Sequence, residues 1–341
     1  YNQINNDPTT PMYDRPFKEM RPPGSVFKMI TATAALEKGS ITPTSTIYDD
    51  VIFKDAGLPY LKNWSPISNG NINVTRALEV SCNYFFCDSA YLLGNAKNDG
   101  TLTAIGDLNE YMKYYGLNND TGVEIGEAET PPDGVDRISG PLLKAYTVSQ
   151  RSPNAASSDL AWHDGDTVQT AIGQSYNNYT AASMCKYIMT IATKGIRYQL
   201  HLVDSVVSHD RTQTTKTQPV IEESPSDLPI ADSTWDAIYQ GMYDVIHGTS
   251  GTGYNTFKGL DIEVAGKTGT AQQITGRNDH SSFGGFAPYD DPQIAVYVMI
   301  PFGDTKANPA VSSQIARDMI AYYFGVDAGA VDIKDSDTLV P

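Results

Sequence analysis

Apolar residues recur at helical spacing from Val26 to Lys38, with Phe27, Ile30, Ala34 and Ala35 on the repeat, and Gly39 supplies a C-terminal stop. The same periodicity predicts helices over Val74–Leu78, over Asn83–Leu93 closed by Gly94, over residues 107–115, and over Ala181–Lys194 running into Gly195. Ser233–Val245 reads as an amphipathic helix with Trp235, Ile238 and Met242 on one face. The period then changes to two. Glu263–Gln273, Ser282–Pro288 and Gln293–Ile300 read as three strands separated by short polar turns, an antiparallel meander, with a closing helix over 312–324. Polar, Pro- and Gly-rich stretches fill the rest. They predict an irregular lead-in over 1–24, a loop with short strands over 44–73, a weakly periodic stretch over 118–180, a surface excursion over 210–232 and an acidic tail over 326–341. Helices in the middle with strands gathered late predict an α+β fold, not an alternating parallel sheet.

Composition narrows the class. A chain of 341 residues with 40% hydrophobic content can bury a sizeable core, as one large domain or two intimate subdomains. The formal net charge of -16 argues against nucleic acid and anionic membrane surfaces as partners. No run approaches the roughly 18–20 apolar residues of a membrane helix, and the longest apolar stretch, Ile294 to Ile300, is strand-sized. The opening at Tyr1 is polar and reads as the middle of a longer protein. Cys82, Cys87 and Cys185 form no Cys-x-x-Cys pair, and His163, His201, His209, His247 and His280 are scattered. Neither set has zinc-site spacing, so no metal and no cofactor is expected.

Three short segments carry chemistry. Pro22-Pro23-Gly24 predicts a turn just before a helix, which places Ser25 at the helix N-terminus with Lys28 on the same face one turn on. A serine hydroxyl needs a base to become a nucleophile, and a desolvated lysine can be that base. Taken alone, Ser-x-x-Lys arises about once by chance in a chain this size, and an N-cap serine beside a solvated lysine explains it equally well. Ser81-Cys82-Asn83 lies between two predicted helices, so its hydroxyl and amide either reach one cavity from a turn or cap a helix. Lys267-Thr268-Gly269-Thr270 interrupts an apolar strand with a cation and two hydroxyls, a set suited to a carboxylate, while Gly269 would admit a substrate close to the backbone. Gly266-Lys267-Thr268 also mimics the end of a phosphate loop, but Asp261 stands where that loop needs glycine and the segment continues as a strand.

Ser-x-x-Lys, Ser-x-Asn and Lys-Thr-Gly in this order form the motif set of penicillin-binding proteins and serine β-lactamases. Arg21-Pro22-Pro23-Gly24-Ser25-Val26-Phe27-Lys28 resembles the nucleophile segment of class B high-molecular-weight penicillin-binding proteins. Ala265-Gly266-Lys267-Thr268-Gly269-Thr270-Ala271-Gln272 is similar to their strand motif, Gly241–Gly248 to the helix and Gly-rich loop before it, and Phe283–Pro288 to the next strand. Ile172-Gly173-Gln174 matches a motif between them, and the likeness covers roughly residues 10–325. It implies the penicillin-binding and serine β-lactamase-like fold: an antiparallel β-sheet flanked by helices, with a mostly helical subdomain. The sheet subdomain would take about 1–45 and 230–325, and the helical or irregular subdomain about 46–229.

The resemblance also implies a peptidoglycan D,D-transpeptidase. Ser25 would attack D-Ala–D-Ala, Lys28 would act as base, and Ser81 would pass a proton to the leaving nitrogen. Asn83 would bind Lys28 and the substrate amide. Lys267, Thr268, Gly269 and Thr270 would bind substrate or β-lactam, with the backbone N–H groups of Ser25 and Thr270 as oxyanion hole. Stem peptides on a lipid-linked precursor or nascent glycan, β-lactams and a membrane glycosyltransferase would be the partners. The site would work at the extracytoplasmic face of a bacterial plasma membrane, held by an N-terminal anchor helix outside this sequence. Two departures stand out: Ser175 occupies a position where the family often has glycine, and Ser282 one where a bulkier aromatic is common on the cleft wall. The alternatives are a D,D-carboxypeptidase, a serine β-lactamase with a deacylating base among Glu124, Glu127 and Glu129, or a β-lactam sensor, whose second motif usually ends otherwise than in asparagine.

Overall fold

The computed structural model describes residues 2–8, 10–95, 101–222, 228–271, 278–303 and 308–326. The Gln272–Gln273 end of the expected strand and the acidic tail beyond residue 326 lie outside the described residues.

The first long helix, α1 (Lys28–Glu37), grows directly out of a 3₁₀ turn over Gly24–Phe27. Every residue from Lys28 to Ala35 is buried, so this helix is the axis of the molecule and has no solvent face. Short strands over 47–72 follow, then α2 (Val74–Glu79), α3 (Asn83–Asn95) and α4 (Thr101–Tyr114). The weakly periodic stretch contains three helices that the pattern did not reveal: α5 (Pro141–Arg151), a single turn over Ser157–Leu160, and α6 (Asp164–Ala171). Their start signals are local: Pro141 in the first turn after Gly140, and Asp166 accepting from the His163 N–H at 2.8 Å. The helix α5 is amphipathic, but the Gly, Pro and Asp around it read as loop, and its one fully buried residue is Lys144. Beyond them come α7 (Ala181–Ala192) and α8 (Asp232–His247), which buries Trp235, Ile238 and Met242 as its periodicity requires.

The late strands form the expected meander. β1 (Ala265–Ala271), β2 (His280–Ala287) and β3 (Ile294–Ile300) pair antiparallel, with β2 central and β1 at one edge. Register sets Lys267 opposite Gly284 and Gly269 opposite Ser282. β2 is buried along its whole length because both faces are covered. Phe283 and Ala287 join a core with Ala316 and Ile320 of α9 (Val311–Phe324), while Phe286 joins the larger core that includes α1, α3 and α7. This arrangement is α+β, as expected from the order of elements.

One close approach couples the helices to the sheet. A Cβ on Gly241 of α8 would lie 2.6 Å from Leu78 Cδ1 and 2.8 Å from Leu78 Cβ, so α2 rests directly on the α8 backbone. α8 packs in turn against β1. Gly241→Ala is therefore expected to cost about 1–3 kcal/mol by overpacking, read as a lower urea midpoint with an unchanged m-value.

Candidate active site

The turn before α1 is held open by backbone contacts. Gly24 has φ +58, and its N–H donates to Gly173 O at 3.0 Å. A Cβ on Gly24 would come within 2.5 Å of Thr270 O, and one on Gly173 within 2.0 Å of Gly24 O. Only glycine fits either position, and the result presses the Ser25 turn against the edge strand β1. In the 3₁₀ geometry of Gly24–Phe27, side chains at i and i+3 eclipse, so Lys28 stands beneath Ser25. The Lys28 N–H closes this turn on Ser25 O.

Lys28 is fully buried, and its ammonium meets three acceptors: Ser81 O at 2.8 Å, Ser81 Oγ at 3.3 Å and Asn83 Oδ1 at 2.7 Å. The Phe86 ring lies 5.5 Å from the same nitrogen. Three donors for three acceptors exhaust the lysine. Among the described residues the Ser25 hydroxyl makes no hydrogen bond, so of Ser25, Lys28 and Ser81 only Lys28 and Ser81 are joined. Ser81 reaches Lys28 because it terminates a helix, not because it starts one. Ser81 N–H bonds Leu78 O and Cys82 N–H bonds Ala77 O, the paired bonds of a glycine-type helix stop, and Ser81 has φ +56. That left-handed conformation costs a non-glycine residue about 1 kcal/mol. Asn83 then opens α3 and donates from Nδ2 to Lys62 O at 2.8 Å, which fixes its carbonyl toward Lys28.

On β1, side chains alternate. Thr268 and the exposed Thr270 point one way, while Lys267 and Gly269 are buried the other way. Lys267 is fully buried, with its amine 3.0 Å from Thr268 O. At Gly269 the missing side chain serves the fold's own packing. A Cβ there would strike Ser282 Oγ at 2.2 Å, Pro23 O at 2.8 Å and Val26 Cγ2 at 3.0 Å. Its empty side therefore admits the protein's own nucleophile turn, and leaves no space there for a substrate. Ser282 is buried and donates to Pro23 O at 2.9 Å, so it clamps that turn and does not line a cleft wall. Thr252, in the Gly-rich loop after α8, was not singled out from sequence; its hydroxyl lies 2.6 Å from that of Thr268 and orients it.

Burial lowers the Lys28 pKa from 10.5 to about 8; the neighbouring Cys82 and Cys87 oppose this only when ionised. Burial pushes the Cys82 thiol up to about 11 and Cys87 higher still, so both are neutral near pH 7 and give no help. Burial first, and the Lys28 charge second, hold Lys267 well below the usual lysine range. Burial thus brings the Lys28 amine much closer to neutrality at pH 7 than an exposed lysine.

The three glutamates weighed as a hydrolytic base take no part in this cluster. Glu127 accepts from Thr121 and Gly122 within its own loop, Glu124 accepts from Leu202 N–H, and Glu129 makes no bond to Ser25, Lys28, Ser81 or Asn83. No group of three metal-ligating side chains exists among the described residues, and none of their helices is long and apolar enough to cross a membrane.

Serine, lysine, second serine and asparagine beside an edge strand form the motif arrangement of the penicillin-recognising proteins. The penicillin binding protein transpeptidase domain family matches residues 1–321, and this chain belongs to it. It is 30% identical over 328 residues to the peptidoglycan D,D-transpeptidase MrdA of Escherichia coli K12, covering 92% of this chain and 47% of that protein. The chain therefore spans about half the length of the curated relatives it matches. Pseudomonas aeruginosa PBP2, solved in complex with WCK 5153, superposes with TM-score 0.73 at 26% identity, over 95% of this chain and 65% of that one. A structure described as showing coordination of polymerization and crosslinking by a peptidoglycan synthase complex shares the fold, with TM-score 0.72 at 24% identity, over 97% of this chain and 51% of that one.

Ser175, the other departure from the family, has φ +60 and a buried hydroxyl that meets no partner among the described residues. Glycine would remove both penalties. Ser175→Gly is expected to stabilise the fold by about 1 kcal/mol, after allowing for glycine's greater unfolded freedom, and to raise the thermal midpoint by a few degrees.

Proposed function

We propose that the chain is the catalytic unit of a D,D-transpeptidase that cross-links peptidoglycan stem peptides and is inactivated by β-lactams. The observation that carries this reading is the buried Lys28, one turn below Ser25 and bonded to both Ser81 and Asn83. In the neutral form Lys28 takes the Ser25 hydroxyl proton, and Ser25 Oγ attacks the carbonyl carbon of the D-Ala–D-Ala amide. Backbone N–H groups of Ser25 and Thr270 receive the oxyanion; losing one such donor costs about 3–4 kcal/mol. The C–N bond breaks as the proton passes from Lys28 through the Ser81 hydroxyl to the leaving nitrogen. D-Alanine departs, leaving an ester on Ser25. An amine of a second stem peptide attacks that ester, forms the cross-link and returns the hydroxyl.

Asn83 holds Lys28 through Oδ1 and keeps one Nδ2 proton for the substrate carbonyl. The arriving terminal carboxylate favours the protonated form of the buried Lys267, and Thr268 and Thr270 hydroxyls on the other face of the strand bind that carboxylate. A membrane glycosyltransferase partner and an N-terminal anchor, placing the site outside a bacterial plasma membrane, fit this chemistry because the substrate is exported glycan. Glu127, bonded within its own loop, and Glu124, bonded to the distant Leu202 N–H, count against the β-lactamase alternative.

Fluorescent penicillin tests the reading. A stable adduct that is absent in Ser25→Ala is expected; no adduct, or turnover of the drug within seconds, overturns it. The adduct's formation rate should rise with pH through about 8, because only neutral Lys28 accepts the proton. Lys28→Ala should lower that rate by about 10²–10⁴-fold and abolish the rise.

A further inference from the structure

A buried carboxylate stands behind the Ser81–Asn83 turn, and the chemistry above does not use it. Asp49 is 1% exposed, and among the described residues it pairs with no cation. Its Oδ1 accepts from Val51 N–H and Asn63 Nδ2, both at 2.8 Å, and its Oδ2 from Asn69 N–H at 3.0 Å and Asn69 Nδ2 at 2.7 Å. Four donors around one desolvated charge make a rigid knot. The knot holds strain: Val51, a β-branched residue, has φ +68, a conformation that persists only where its surroundings enforce it.

The strained loop delivers two groups to the site. Asn63 donates to Asp49, so its Oδ1 faces away and accepts from Tyr84 N–H at 2.9 Å and Cys82 Sγ at 3.6 Å. It thereby caps the first turn of α3 from another segment of the chain. The preceding residue, Lys62, offers its carbonyl to Asn83 Nδ2. The residues on both sides of Asn83 and its own amide are thus held from one loop, and that loop is held by Asp49.

Resting on the proposed reading of the site, we infer that Asp49 and Asn63 are positioning residues for acylation, aiming the Asn83 carbonyl at Lys28 through the α3 N-terminus. Neither touches the reacting atoms. Their loss lets the Asn83 amide rotate, and the lysine loses the acceptor that fixes it beneath Ser25.

A double-mutant cycle on acylation by fluorescent penicillin separates positioning from plain stability. The first-order acylation constant at saturating label is measured for the unmodified protein, Asn63→Ala, Asn83→Ala and the pair. Asn63→Ala should slow acylation about ten- to a hundredfold, with label affinity changed less than about threefold. In the Asn83→Ala background, the same substitution should slow it less than about threefold further, because the residue it acts through is already gone. Equal slowing in both backgrounds, or an unchanged rate in Asn63→Ala, overturns the inference. Should Asn63→Ala not fold, the milder Asp49→Asn is read through the same cycle. Failure of the unmodified protein to label would instead sink the transpeptidase reading.

Discussion

The molecule is organised around a buried positive charge. Lys28 is wholly out of water, and the three acceptors it meets come from residues more than fifty positions away. A lysine whose folded pKa is about 8 is disfavoured as ammonium by about 3 kcal/mol relative to its unfolded value of 10.5. The unfolded chain binds the extra proton between those values, so this cost is full below pH about 8 and fades as pH rises toward 10.5. The fold accepts it and stabilises the ammonium with Ser81 and Asn83, which means that α1, the end of α2 and the start of α3 must meet at one point.

Glycines set the remaining walls. Gly24, Gly173 and Gly269 are empty on the sides where backbone meets backbone, and together they pull the Ser25 turn onto the edge of β1. Gly241 does the same for α2 on α8. The hydroxyl of Thr252, just beyond α8, meets Thr268 on β1. Displacing α8 would thus disturb Ser81 through α2 and Thr268 through the loop, so both flanks of the site share one support.

Much of this was legible in the chain. The meander, α1 and α8 follow from period and stop signals, and the three motifs announce the site by their order. What was not legible is mostly direction. A sequence shows that Gly269 lacks a side chain but not which face is empty, and the structure turns that face toward Pro23. Ser81 reads from sequence as part of a turn or as a helix cap, and the structure makes it a helix stop in left-handed geometry. α5 escaped because the Gly, Pro and Asp around it read as loop, although its own apolar positions lie on one face. Asp49 and Asn63 lie in a polar stretch where only tertiary contact distinguishes a structural carboxylate from a solvated one.

Ser81 carries a consequence for anyone improving this protein. Backbone geometry alone marks the position for glycine, and a screen that rewards heat resistance would favour that replacement. The hydroxyl that glycine deletes is the one that faces Lys28. Selection for durability and selection for activity therefore pull on this residue in opposite directions, and a hardier variant obtained without a functional assay is at risk of being an inert one.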